Sequence, residues 1–168
     1  MSEMIELSQT ARGVLAEKIK NEILSAPGRK ALEFGSGKYS LAPDLREELE
    51  YLACTDKTEA GLGSVRPAAE ASDISLIPDS EMGEDCYFGR FHLVYTVFGF
   101  SGLPHLVDEI MRLRRLIIKG GKLAAVDFAD DGFETECVKQ LKRCGFAEIK
   151  TNHFLLDGRQ AFLLSAEK

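Results

Sequence analysis

The sequence predicts an α/β domain built on a doubly wound, mostly parallel seven-stranded sheet, with an antiparallel C-terminal hairpin strand. Three observations predict it. Short apolar runs at 30–34, 51–55, 91–98 and 122–128 alternate with segments of helical periodicity, the pattern of strands joined by crossover helices. The run at 91–98, FHLVYTVF, is apolar and aromatic throughout, as in a central strand covered on both faces. Asp157-Gly158 separates two further strand-like stretches, 146–155 and 160–166, and reads as a hairpin turn whose strands run antiparallel.

Each element has its own warrant. Residues 4–24 place Val14, Leu15, Ile19, Ile23 and Leu24 among Glu, Lys and Gln, which predicts a helix ended by Ala26-Pro27-Gly28. A strand over 30–34 follows, then a helix over 41–50 with Pro43 tolerated in its first turn, then a strand over 51–55. Residues 57–90 are rich in Gly, Ser, Pro and acids; they predict a short helix and one weak strand before Asp73. Beyond the 91–98 strand, Leu106, Ile110, Leu113 and Ile117 recur at helical intervals, and Gly120-Gly121 reads as the stop. The strand over 122–128 leads to a helix over 133–144, capped by Gly145, and then to the hairpin. The length of 168 residues predicts a single domain over 1–168, with an N-terminal helix within 1–26 and a core over 30–168.

Composition narrows the function. A net charge of −6 argues against a broad phosphate-binding surface, so nucleic acid is not the expected partner. The basic run Arg112, Arg114 and Arg115 reads as a solvated helix face. No stretch reaches the ~20 apolar residues of a membrane span, and MSEMIELSQT has neither a basic nor an apolar leader region; a cytoplasmic protein without a membrane partner is expected. The four cysteines, Cys54, Cys86, Cys137 and Cys144, form no CxxC pair and have no His at ligand spacing, so buried free thiols are expected and no metal.

The chemistry concentrates at ALEFGSG, residues 31–37, where an apolar strand ends in an acid and a glycine-rich turn. Gly35 and Gly37 permit positive φ and let a ligand approach bare backbone. Asp56 closes the next strand, where a carboxylate can accept both hydroxyls of a ribose. Read alone, this pairing serves NAD, another nucleoside cofactor, or a plain strand-to-helix turn.

From about Lys30 onward the chain resembles the class I S-adenosylmethionine-dependent methyltransferases, a Rossmann-like fold, and in particular their small-molecule, ubiquinone and menaquinone C-methyltransferase-like branch. ALEFGSG resembles the family's first motif, Asp56 its acid after the second strand, and Asp73 in DISLIP its acid beside adenine. The segment from Phe91 to Leu123 resembles the fourth strand, a helix ending in Arg-x-Leu-Lys-Pro-Gly-Gly, and the fifth strand. The resemblance implies S-adenosylmethionine as cofactor and a small-molecule or carrier-held substrate. It implies that Glu33 holds the methionine ammonium, with Phe34, Gly35, Ser36 and Gly37 around the carboxypropyl chain. Asp56 and Lys57 would flank the ribose, Asp73 and Ile74 the adenine, and Tyr95 and Thr96 would line the pocket after the fourth strand.

The chain departs from that family in places. Tyr39 stands where the third glycine is expected, Phe91-His92 replaces Phe-Asp, the proline before Gly120-Gly121 is missing, and the stretch between the second and fourth strands is short. Methyl transfer from a sulfonium runs on positioning and desolvation, so no catalytic residue is assigned. His105 is the candidate base by position, with a plain surface residue as its alternative. Two other functions stay open: a cofactor-binding or partner-binding module without turnover, suggested by Tyr39, and an NAD-dependent enzyme, disfavoured by Ser40 where GxGxxG needs glycine. One short domain offers a substrate little cover, so a homo-oligomer or partner subunit is expected to complete the site.

Overall fold

The computed structural model describes residues 6–130 and 132–168. The start of the helix expected from residue 4 lies partly outside them. Within them, α1 runs Gln9–Ser25, and its N-cap is Ser8, whose hydroxyl accepts from the Ala11 N–H as N-cap side chains do. The strands β1 (Lys30–Phe34) and β2 (Tyr51–Thr55) fall where the apolar runs end. Between them α2 is a single turn, Ala42–Leu45, continued by a 3₁₀ turn, Arg46–Glu48. It is shorter than the helix expected over 41–50.

The ambiguous stretch after β2 holds a full helix, α3 (Glu59–Ser72), although it contains Pro67. Burial overrides propensity there: Leu62, Val65 and Ala69 share a buried face and Thr58 caps the start, while Pro67 sits on the exposed side. Strand β3 is only Ser75–Leu76 and follows Asp73 rather than preceding it. No α-helix connects it to β4 (Phe91–Val97); two 3₁₀ turns, Asp79–Glu81 and Asp85–Tyr87, make the link. Helix α4 (Leu106–Leu116) ends before Gly120-Gly121, which lie inside β5 (Ile117–Phe128). Gly121 packs against the His92 carbonyl and Ile117 with no room for a Cβ, so the pair marks an irregularity in the sheet and not a helix stop. Helix α5 (Phe133–Arg143) precedes β6 (Ala147–Leu156) and β7 (Arg159–Glu167). Asp157 and Gly158 both take positive φ, as a two-residue hairpin loop requires.

The sheet order is β3-β2-β1-β4-β5-β7-β6. All pairings from β3 to β5 are parallel, and β7 is antiparallel to both β5 and β6. The seven strands, the parallel core and the reversed last strand are as the sequence predicts. The run FHLVYTVF is indeed the middle strand. Side chains of α1, α2 and α3 pack on one face with Ala31, Leu93, Tyr95 and Val126. Helices α4 and α5 and the β3–β4 connection pack on the other with Leu32, Phe34, Val94 and Leu123. Of the cysteines, Cys54, Cys137 and Cys144 are buried but Cys86 is exposed. Among the described residues no helix is long and apolar enough to cross a membrane.

Candidate functional site

The sheet order reverses direction between β1 and β4, and the crevice beyond the carboxyl ends of those strands is where open α/β sheets take ligands. The glycine turn stands there. Gly35 and Gly37 have φ of +69° and +34°, and the Gly35 and Ser36 N–H groups both donate to the Thr55 carbonyl, at 2.9 and 3.2 Å. The turn is thereby hooked onto the end of β2. A Cβ on Gly35 would meet the Gly99 Cα at 3.1 Å, so the backbones leaving β1 and β4 nearly touch.

Two rows of side chains cross the strand ends. In the first, Glu33 is the register partner of Cys54 and of Tyr95, and its carboxylate is buried. It accepts from Ser40 Oγ at 2.5 Å, the Leu41 N–H at 2.8 Å, the Tyr95 hydroxyl at 2.9 Å and Cys54 Sγ at 3.8 Å. Four donors occupy the roughly four lone-pair sites of a carboxylate, so Glu33 ties the chain beyond the glycine turn to β2 and β4. Burial pushes its pKa up, against the opposing pull of the Ser40, Ser36, Tyr95 and Leu41 hydrogen bonds. Burial and the neighbouring Glu33 also raise Tyr95.

In the second row, Phe34 is flanked by its register partners Thr55 and Thr96. Both hydroxyls are buried and have no hydrogen-bond partner among the described residues, which is costly unless something supplies one. Thr96 Oγ1 faces both Gly35 and Gly99. Its place beneath the crevice makes it a polar floor.

Asp56 is half-buried beside this floor. Oδ2 accepts the Gly37 N–H at 3.2 Å, and Oδ1 accepts both the N–H and the hydroxyl of Thr58, each at 2.9 Å. Three acceptor positions are filled and one, on Oδ2, is left. A Cβ on Gly61 would overlap this carboxylate, so the glycine of α3 makes room for the acid. Lys57 turns away to Glu109 of α4, at 2.6 Å. Glu109 in turn pairs with Arg112 at 2.6 Å, and Arg112 with Asp79 at 2.5 Å. Arg112 is therefore not part of a solvated face.

The remaining candidates are not brought together. Asp73 caps the C-terminus of α3 in a left-handed conformation, at the entry to β3, and pairs with Arg46 at 3.2 Å. It and Ile74 lie at the amino end of the sheet, away from Asp56. The acid that does follow β3 at its carboxyl end is Asp79. His105 is an exposed residue at the N-terminus of α4 with no side-chain capping bond. Tyr39 packs edge-on against Phe98, centroids 5.5 Å apart, and Phe98 stacks on Phe128 at 4.8 Å, so the ring at the third-glycine position closes over the ends of β4 and β5.

The sequence reading also missed Asp127, an acid in the apolar strand KLAAVDF. It is 4% exposed, accepts the Ser101 and Phe128 N–H groups at 3.2 and 2.9 Å, and burial pushes its pKa up to about 6. An isolated acid inside an apolar run was the available signal.

No family model and no curated protein sequence matches the chain. Solved structures do. A SAM-dependent methyltransferase from Aquifex aeolicus superposes with a TM-score of 0.73 at 16% identity, over 96% of this chain and 98% of that one. Magnesium protoporphyrin IX methyltransferase from Synechocystis PCC 6803, solved with bound SAM, gives 0.74 at 17% identity over 95% of this chain and 80% of that one. The [4+2]-cyclase SpnF gives 0.79 at 11% identity over 97% and 84%. The chain has the fold of the class I S-adenosylmethionine-dependent methyltransferases.

Proposed function

We propose that the chain is an S-adenosylmethionine-dependent methyltransferase acting on a small-molecule or carrier-held substrate, in the manner of the quinone C-methyltransferase-like branch. The observation that carries this reading is the crevice at the β1–β4 reversal, where Gly35–Gly37, Asp56 and the hydroxyls of Thr55 and Thr96, buried and without a partner among the described residues, converge. The donor set fits the cofactor. Asp56 keeps one acceptor position for a ribose hydroxyl. Phe34, Gly35, Ser36 and Gly37 border the methionine side, and Thr96 offers a hydroxyl to it. Glu33 acts by fixing the turn, since its own acceptor positions are filled. Asp79, and not Asp73, stands on the adenine side with Ile77.

The cofactor supplies an activated methyl group; this chain's part is to position the acceptor and exclude water. Where the acceptor atom must lose a proton, Asp127 is the suited group by its pKa of about 6 and its place against Ser101, ahead of the exposed His105. A second reading rests on Tyr39: a ring packed on Phe98 narrows the methionine side, consistent with a domain that binds the cofactor without turnover. Calorimetry with S-adenosylhomocysteine tests the first step. Binding lost on Asp56→Ala is expected, and no binding by wild type at millimolar concentration overturns both readings. Transfer of labelled methyl from S-adenosylmethionine to a metabolite extract then separates them.

A further inference from the structure

The opposite end of the sheet carries a second cavity, of about 460 Å³, between the entries to β1, β2 and β4 and the 3₁₀ turn at Asp85–Tyr87. Its volume is in the range of small-molecule sites. It is separate from the glycine-turn crevice: Lys30 opens β1 and Phe34 closes it, about 13 Å apart at strand rise.

Three aromatic side chains line it. Tyr51 stacks on Phe91 with ring centroids 6.3 Å apart and planes inclined by 24°, and Tyr87 stands on the cavity wall. Tyr51 opens β2 yet leaves 36% of its surface exposed, so a ring face is presented at the rim. Of the charged residues on the lining, Lys30 and Arg90 outnumber Glu50, and Glu84 stands at the edge with its carboxylate 3.7 Å from the Cys86 thiol. Arg90 Nε donates to the Cys86 carbonyl at 2.8 Å, which orients the guanidinium, and no carboxylate among the described residues pairs with its head. Lys30 reaches Glu50 only at 4.0 Å.

Aromatic walls with an oriented, unneutralised guanidinium on a chain of net charge −6 suit one ligand chemistry. We propose that this cavity binds a planar aromatic ring carrying an anionic group, a carboxylate or a phosphate. The ring stacks against Tyr51 and Tyr87, and the anion takes the two free ends of the Arg90 fork. The proposal does not depend on the methyl-donor reading.

Two probes distinguish the sources of that chemistry: 4-hydroxybenzoate for an aryl carboxylate and adenosine 5′-monophosphate for a nucleotide. Amide shifts and calorimetry on the full chain are the readouts. At least one probe is expected to bind at submillimolar to millimolar concentration and to shift the amides of Tyr51 and of residues 86–91. Binding should weaken by about tenfold or more in Arg90→Gln, with an unchanged melting curve, and be lost in Tyr51→Ser, which melts lower for want of the Phe91 stack but still unfolds cooperatively. The neutral 4-hydroxybenzamide should bind more weakly than the benzoate by a similar factor. Absence of shifts with both probes at millimolar concentration overturns the proposal. So does equal binding to wild type and a folded Arg90→Gln, or displacement of the probe by S-adenosylhomocysteine.

Discussion

The Tyr95 hydroxyl donates to Glu33 Oε2 at 2.9 Å across the junction of β1 and β4, and the two residues are register partners in the sheet. The junction is where the strand order reverses, so a crevice opens just beyond it. A buried carboxylate there organises the backbone around it: the same Glu33 oxygen takes the Leu41 N–H, and the other takes Ser40. The entry and exit of the glycine turn are thus fastened to one side chain. Networks of this kind are worth more intact than their pairs suggest, and are costly when half satisfied.

Glu33→Ala is therefore expected to destabilise the fold by about 3 kcal/mol, because it leaves the Leu41 N–H and Tyr95 hydroxyl buried without an acceptor. Glu33→Gln keeps one carbonyl oxygen and should lose less. Urea unfolding of the two variants checks the order. Equal stability of wild type and Glu33→Ala would remove the carboxylate from any structural role.

The two glycines of α3 make a matched pair. Both sit in the first turns of the helix, but only at Gly61 would a Cβ strike Asp56; Gly63 has nothing within 4 Å. Gly63→Ala should raise stability by about 0.5–1 kcal/mol, the helix-propensity gain. Gly61→Ala should lower it, and should weaken S-adenosylhomocysteine binding by displacing the acid. Thermal melts and calorimetry on both variants read the contrast. A Gly61→Ala protein as stable as Gly63→Ala would mean that Asp56 has room to move.

The same pair shows why this part of the fold was hard to read from sequence. Strands β1 and β2 were legible to the residue, because apolar runs bounded by Gly, Asp and charged residues have one reading. Helix α3 was not: Gly61, Gly63 and Pro67 each argue locally against a helix, and what forms it is burial of Leu62, Val65 and Ala69 against a sheet the sequence does not display. The position of Asp73 was hard to read for a related reason. DISLIPD has an acid on either side of a two-residue strand, and only the strand's bounds and register show which one follows its carboxyl end. The Lys57–Glu109–Arg112–Asp79 network joins three segments far apart in the chain, so no local pattern announces it.

Asp127 predicts a pH dependence with a definite sign. Its folded pKa is about 6 against an ordinary 3.8, so between those values the folded state binds more protons than the unfolded one. Stability from this group is then full below about pH 4 and falls as pH rises through 6. The shift corresponds to at most about 3 kcal/mol. Asp127→Asn, which cannot ionise, should gain on wild type from about pH 4 to about pH 6 and level off by about pH 7, whatever its offset at pH 4. Denaturant midpoints across that range measure the difference. A constant gap between the two proteins would place the Asp127 pKa at its ordinary value.

Glu109 offers the last test, because its charge is nearly buried while its partners are not. Its side chain is 7% exposed, against 24% for Arg112 and 41% for Lys57. The desolvation penalty falls chiefly on the acid, and two cations at 2.6 Å offset it. Glu109→Gln removes the charge and leaves Arg112 with Asp79 alone, so a loss of about 2 kcal/mol is expected, below the 3–5 typical of breaking a fully buried pair. Lys57→Met removes the more exposed partner and should cost under about 1 kcal/mol. The double variant should then lose less than the sum, by about 0.5 kcal/mol or more, since Lys57 stabilises only a charged Glu109. Strict additivity in the cycle would show that the Lys57 bridge contributes nothing to holding α4 against the loop after β2.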